Sequence, residues 1–408
     1  MAGPCLVLFD DRIARDWQPF TLTRPAGELR FGALTLRERA QRVLGADCIG
    51  HLAGEDLVGF EEPEARPVLA PDGIPADRGV VYLVSRAVPS WSAAPIHYPD
   101  HPALLRIGGE AAGWFAPAGS PPPPREFFDD PARHAPSAPE IALDGFLLER
   151  IWHLVTHNAE QVARDIAALF PAAERPEPPP GVHVVGDAPL ILGAGAEIEP
   201  GAVIDLRHGP VWLDEGASVA AFSKVSGPSY IGRGTAILGG PVAAVSIGPV
   251  CKVHGEVEES VILGYSNKAH DGFLGHSYVG CWVNLGALTT NSDLKNNYGS
   301  VRIWTPGGEV DTGELKLGCF IGDHVKTAIG TLLNTGTVVG AGANLFGGGI
   351  PPRYVPPFAW GGADPSAVYE LERFLASAET VMGRRNVPLG DGQREVLRRA
   401  WHRSRSAS

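Results

Sequence analysis

The feature that most limits how this chain can fold is a six-residue period. An aliphatic residue, usually followed by Gly and then by small or polar residues, recurs as LGAGAE (192–197), IEPGAV (198–203), IGRGTA (231–236), IGPVCK (247–252), VGCWVN (279–284), LGALTT (285–290), IGDHVK (321–326) and VVGAGA (338–343). One unit makes a short flat strand and a turn, with Gly supplying backbone angles that a Cβ disfavours. Three units close a triangular coil whose aliphatic residues all point inward. One coil cannot bury its own ladder, so coils stack, and the expected fold of residues 181–350 is a parallel β-helix. Interruptions are expected at SVAAFSKVSGPSY and at TNSDLKNNYGSVRIWTPGGEVDTGELK. Such insertions project from one coil and often form a binding face.

Residues 1–175 read differently, and a chain of 408 residues has room for two or three domains. Cys5 to Phe9 is a continuous apolar run, hence a buried strand, ended by Asp10 and Asp11. Pro19 and Pro25 keep the next stretch extended. Leu34 to Leu44 has helical spacing and closes on Gly45. Gly79 to Ser85 is a second buried strand. Strand, loop, helix and strand predict an open α/β sheet, which binds ligands beyond the carboxyl ends of its strands. Asp10, Arg24 and Arg86 fall there. Trp91, Trp114, Phe127 and Phe128 are available for a sugar pocket, with core or lid packing the plainer use. Gly145 to Phe170 has one apolar face, formed by Trp152, Val155, Ala159, Val162, Ile166 and Phe170, and predicts a helix joining the domains. PAAERPEPPPG after it reads as a stiff linker.

Residues 351–408 form a cap and a basic helical tail. Phe358 and Trp360 are expected to dock on the last coil or a neighbour, and Pro365 to Met382 to form an amphipathic helix. The arginines that follow (Arg384, Arg385, Arg394, Arg398, Arg399, Arg403, Arg405) meet an acidic body, so docking on this chain or a sister subunit is expected. A formal net charge of −12 argues against a nucleic-acid-binding body. The five cysteines show no CxxC pair or metal spacing and read as small core residues in a reducing compartment. No stretch approaches transmembrane length, and MAGPCLVLFDD reads as a first strand, not a signal peptide. A cytoplasmic location away from membranes follows as the expectation.

The chemistry of the repeat region centres on GYSNKAHDGFLGHSYVGCWVNLGALTTNSDLKNN (264–297). His270, with Asp271 beside it, sits where the repeat breaks, just ahead of the long insertion. Such a histidine can act as a general base near neutral pH, taking a proton from an amine or hydroxyl as it attacks a thioester. Asn284 and Asn291 can bind amides or sugar hydroxyls. His254, His276 and His324 have weaker surroundings and read as structural.

Two stretches resemble known families. QPFTLTRP followed by GELRFG is similar to the start of the sugar-1-phosphate nucleotidyltransferases. It departs from them in three places. DDRIARD replaces a Gly-rich loop, Ala26 replaces a lysine, and a later strand ends in SRAVP without the family's aspartate. The resemblance implies that Arg24 acts on the phosphates, that Arg30 and Arg86 bind substrate, and that Asp10 or Asp11, with Asn158, holds Mg²⁺. SNKAHDGFLGHSYVGCWVNLGALTTNSDLKNNYG, taken with FDD and TLTRPAGELRFG, resembles a bacterial family related to the bifunctional UDP-N-acetylglucosamine pyrophosphorylase/glucosamine-1-phosphate N-acetyltransferase. That likeness implies a left-handed β-helix and a homotrimer, with acetyl-CoA in a groove between neighbouring β-helices. It makes His270 the acetyl-transfer base and replaces a family tyrosine by Phe273. One family asparagine maps to Asn284 and another to Asn291 or Asp293. Glu258 or Glu259 stands near the place of a lysine that contacts the sugar phosphate, with Lys252, Lys268 or Lys295 as substitutes.

The expected function is therefore sugar-1-phosphate nucleotidyl transfer combined with acetyl-CoA-dependent N-acetyl transfer, of the kind that makes UDP-N-acetylglucosamine. The substrates would be a nucleoside triphosphate, a sugar 1-phosphate and acetyl-CoA. A single-activity transferase whose other domain only binds, and a non-catalytic trimeric sugar-nucleotide-binding protein, are the alternatives. Fold alone does not decide among them.

Overall fold

The computed structural model describes residues 3–70, 73–92, 95–173, 177–362, 364 and 367–406. In the N-terminal domain, the buried strand Cys5–Phe9 lies between Asp47–Leu52 and Val80–Val84, parallel to both. Glu110–Ala116, Ala103–Ile107 and Glu140–Leu143 extend the sheet beyond Val80–Val84; Glu110–Ala116 is antiparallel to both its neighbours and Glu140–Leu143 is parallel to Ala103–Ile107, so the sheet is mixed. CLVLF is continuously apolar because both faces of this strand are covered. Helix Leu36–Leu44 starts on a Thr35/Glu38 capping box and stops at Gly45, whose φ of 60° is left-handed. Phe127 and Phe128 pack on Phe9, and Trp114 packs on Phe127, so these rings build core and not a sugar pocket.

The expected long helix is two short ones, His153–Thr156 and Asn158–Leu169. Gly145–Leu147 is instead a strand against Ala87–Pro89. The second helix is no free connector: Val162 and Ile166 cluster with Ala33 and with Tyr230 of the repeat region. Part of the proline-rich linker, residues 174–176, lies outside the described residues.

The repeats form a parallel β-solenoid with three ladders. The first runs from His183–Val185 to Leu274–Gly275, the second from Leu190–Leu192 to Tyr354–Val355, and the third starts at Glu197–Ile198. Inward aliphatic side chains such as Ile204, Val225, Val242 and Val257 are fully buried along the axis. Gly318 shows how tightly coils stack: a Cβ there would lie 2.0 Å from the carbonyl oxygen of Gly275. The first expected interruption is absent. Ser218–Val219, Lys224–Ser226 and Ser229–Ile231 place one strand on each ladder, with Val219, Val225 and Ile231 pointing inward. Small polar residues between those three had hidden the period. The second interruption is real, a β-hairpin of Arg302–Thr305 and Gly308–Asp311.

The second ladder carries large side chains on its outer face, including Tyr230, Tyr278 and Phe320, all buried. They are covered by the N-terminal domain: Phe20 packs on Tyr278, and Trp17, Phe20, Leu22, Tyr278 and Phe320 share one core. The cap also belongs to the solenoid, because Tyr354–Val355 and Ala359–Trp360 pair with Val338–Val339 and Asn344–Leu345. Ala367–Val368 then forms a short strand, and the amphipathic helix runs Leu371–Gly383; Pro365 lies outside the described residues. Helix Asp391–Ser406 returns to the N-terminal domain. There Gln393 accepts the Glu61 amide at 3.0 Å and Arg403 meets Asp56 at 3.1 Å. The basic tail thus docks on its own chain.

Candidate functional sites

The stretch TLTRPAGELRFG faces the solenoid and not solvent. Thr23 Oγ1 and Arg24 Nε both donate to Asp323 Oδ2, at 2.7 and 2.9 Å, while Asp323 Oδ1 accepts the Cys281 amide at 2.8 Å. On the other side of the guanidinium, Glu62 lies 3.6 Å away and accepts the Trp282 indole N–H at 2.9 Å. Burial pushes the Glu62 carboxyl up to about 7, against the opposing pull of Arg24. The Arg30 amide donates to the Tyr278 hydroxyl at 2.8 Å, and that hydroxyl donates to the Arg30 carbonyl at 3.0 Å. The Arg30 guanidinium lies over the Tyr230 ring, 5.0 Å from its centroid. Arg24 is 3% exposed and Arg30 is 5% exposed, and the side chains of both are engaged where the N-terminal domain meets the solenoid.

Asp11 and Arg86 form a buried ion pair at 2.8 Å, and Asp11 also caps helix Arg12–Arg15. Asn158 accepts the Gly32 amide at 2.9 Å, while Asp165 takes the Ala33 amide at 2.9 Å and pairs with Arg39. These polar groups fix the shape of residues 30–33. Asp10 is elsewhere: one oxygen accepts the Ala26 amide at 3.0 Å. Burial pushes its pKa up, with Ser85 and the Ala26 amide opposing.

An open cavity lies where the sheet predicts one. It has about 470 Å³ and follows the carboxyl ends of Cys5–Phe9 and Val80–Val84, with Arg12, Trp17, Arg86, Arg150 and Trp152 in its wall beside the carboxylates of Asp16, Glu110 and Glu149. The Trp17 indole nitrogen is buried without a hydrogen-bond partner among the described residues, and Arg150 sits over Trp152, 5.7 Å from the ring centroid. Thr305 to Gly307, the tip of the solenoid hairpin, closes one side. Arg86 reaches this wall although its Nε belongs to Asp11. The sequence singles out neither Trp17 nor Arg12, because DDRIARD signals only the place of a missing Gly-rich loop.

On the solenoid, His270 is exposed at the corner between the third and first ladders. Lys268 sits beneath, donating to the carbonyls of His254 and His270 at 2.7 and 3.0 Å, and burial lowers its pKa to about 8. Asp271 does not orient His270, because it faces His254 at 3.2 Å. Asn291 bonds both the amide and the carbonyl of Gly275, at 2.9 and 3.0 Å, so its side chain is spent on holding adjacent coils. Lys295 is likewise tied to the Ser300 carbonyl. Asp293 bonds His276 at 2.8 Å, which holds its carboxyl below the usual range. From the sequence, His276 has weaker surroundings and reads as structural. Its aspartate lies 17 residues away and comes beside it only when coils stack. His324 is a neutral core histidine, with burial lowering its pKa to about 3. Asn284 is exposed on the third ladder, bridged to Asn267 and Lys326.

Residues 6–172 match the model of a family described as sugar nucleotidyl transferase. That match spans most of the N-terminal domain. A bifunctional sugar-1-phosphate nucleotidylyltransferase/acetyltransferase of Sulfurisphaera tokodaii is 36% identical over 100 residues, which is 24% of this chain and 25% of the relative. The bifunctional protein GlmU of Acaryochloris marina is 29% identical over 173 residues, 41% of this chain and 32% of the relative. The chain thus spans a quarter to a third of the curated relatives it matches. Among solved structures, Arabidopsis UDP-N-acetylglucosamine acyltransferase covers 54% of this chain and 95% of its own, at 12% identity and a TM-score of 0.22. A score of that size adds nothing to the fold described above.

Sugar nucleotidyltransferase chemistry implies Mg²⁺; of the expected ligand pair, Asn158 Oδ1 accepts the Gly32 amide and Asp10 Oδ2 accepts the Ala26 amide. No group of three or more His, Cys, Asp or Glu among the described residues is arranged to hold a metal ion. No helix among them is long and apolar enough to cross a membrane.

Proposed function

We propose that this chain is a sugar-phosphate transferase with two sites: nucleotidyl transfer in the strand-end cavity and acetyl transfer at the His270 corner. The observation that carries the first is position. In a domain of the sugar nucleotidyltransferase family, the open cavity lies beyond the carboxyl ends of the central strands, with arginines for phosphate and tryptophans for a base or sugar ring. The names of both curated relatives describe bifunctional proteins, and one names nucleotidyl and acetyl transfer together.

At the corner, His270 would take a proton from a sugar amine as the nitrogen attacks the thioester carbonyl carbon. The C–N bond forms, the C–S bond breaks, and the imidazolium returns its proton to the leaving thiolate. Asn284 is the neighbouring exposed amide for the acceptor sugar. Below His270 the same corner column exposes Leu288, Ile329 and Phe346, which are 55%, 77% and 37% accessible. A row of exposed apolar side chains supports cover by a neighbouring subunit, as in the expected homotrimer with acetyl-CoA between solenoids. N-acetylglucosamine 1-phosphate with UTP is the first substrate pair to try, and a cytoplasmic setting is consistent with the free, buried cysteines.

A second reading is favoured by one observation, the burial of Arg24 and Arg30: the N-terminal domain binds a sugar nucleotide without turning it over. A paired assay separates the two. One reaction holds acetyl-CoA and glucosamine 1-phosphate and is read as free thiol. The other holds UTP, Mg²⁺ and N-acetylglucosamine 1-phosphate and is read as pyrophosphate. Both signals are expected. Thiol alone would support the second reading, and silence in both would overturn the proposal.

A further inference from the structure

A second cavity, of about 560 Å³, lies on the third ladder where the segment Val381–Asn386 crosses it. Lys252, Lys326, Arg384 and Arg385 line it, together with the amides of Asn267 and Asn284. The wall holds no Asp or Glu. None of the four cations has a carboxylate within ion-pair distance among the described residues. Arg385 reaches only the Asn267 side-chain oxygen, at 2.7 Å, and Lys326 only the His324 carbonyl, at 3.3 Å. On a chain of net charge −12, four cations gathered without a counter-charge need an explanation. Like charges in a half-buried groove repel, and burial already lowers the Lys326 pKa to about 8. The arrangement suits one kind of ligand. Two guanidiniums can each grip a phosphate in bidentate fashion, lysines add point charge, and paired asparagines read hydroxyls or ring edges. The volume falls in the ordinary range for small-molecule sites.

We infer that this groove binds a phosphate ester carrying two or more phosphates, with Arg384 and Arg385 of the C-terminal segment closing over it. The site is separate from the strand-end cavity. It makes the segment that follows helix Leu371–Gly383 a clamp, because the same ligand bonds the solenoid through Lys252 and Lys326 and this segment through Arg384 and Arg385.

The test is calorimetric titration of the whole chain with inorganic pyrophosphate, ADP and coenzyme A, each at two salt concentrations. Saturable binding is expected for at least one probe, weakening as salt rises. It should fall at least tenfold in the Arg384→Glu/Arg385→Glu variant and in Lys252→Glu. Lys252 is exposed, so its variant keeps the test valid if the double variant folds poorly. Tighter binding of coenzyme A than of ADP would name an acyl carrier as the source, the reverse order a free nucleotide, and equal binding to pyrophosphate a bare polyphosphate. Binding that Lys252→Glu leaves unchanged, or no saturable binding to any probe at millimolar concentration, would overturn the inference.

Discussion

Replacing Arg24 by Ala separates a catalytic role from an architectural one. In the folded chain its guanidinium lies between Asp323, at 2.9 Å, and Glu62, at 3.6 Å, with Phe60 beneath it. Truncation leaves Asp323 buried with the Thr23 hydroxyl and the Cys281 amide but no cation. Removing one partner of a buried ion pair costs about 3–5 kcal/mol, mostly because the remaining charge is uncompensated. Glu62 softens this, since a carboxyl lifted to about 7 can stay protonated near neutrality. The lower end, about 3 kcal/mol, is therefore expected. At roughly 2–4 °C per kcal/mol, that is a fall of about 6–12 °C in melting temperature. The assay is thermal unfolding of Arg24→Ala beside Arg24→Ala/Asp323→Asn, which removes the stranded charge and should recover part of the loss. Pyrophosphate release measured well below the transition should keep its KM within a few-fold. A variant that melts within a degree or two of the parent yet releases no pyrophosphate would refute this reasoning and restore Arg24 to the catalytic machinery.

Two further outcomes test the same picture. Because Glu62 titrates near 7 when folded and near 4.5 when unfolded, the folded state binds the extra proton between those values, so this group's contribution falls as pH rises from about 4.5 to 7. Glu62→Gln should flatten that slope, measured as melting temperature against pH, and an unchanged slope would place the titration elsewhere. His270→Ala should cut acetyl transfer about a hundredfold or more with the melting temperature unchanged, while His276→Ala should lower stability and leave the rate within a few-fold. The opposite pattern would make the His276–Asp293 pair the base.

What the sequence disclosed and what it hid follow from the range of the forces involved. Solenoid, sheet strands and the capping of Leu36–Leu44 were legible because period, apolar runs and cap residues act within a few positions. The partners of Arg24, Arg30 and His276 were not, because Asp323, Tyr278 and Asp293 reach them only through folding; Asp323 lies 299 residues from Arg24. One local signal did exist. Along the second ladder an aromatic residue precedes the inward aliphatic one in Tyr230–Ile231, Tyr278–Val279 and Phe320–Ile321. An outward solenoid position exposed to water has no use for such side chains, so the alternation marks a face that another element must cover. With that face assigned, TLTRPAGELRFG becomes the surface that covers it. Its buried arginines then mark where two domains are locked together, and the place to look for phosphate chemistry shifts to the open end of the sheet, beside Trp17 and Arg12.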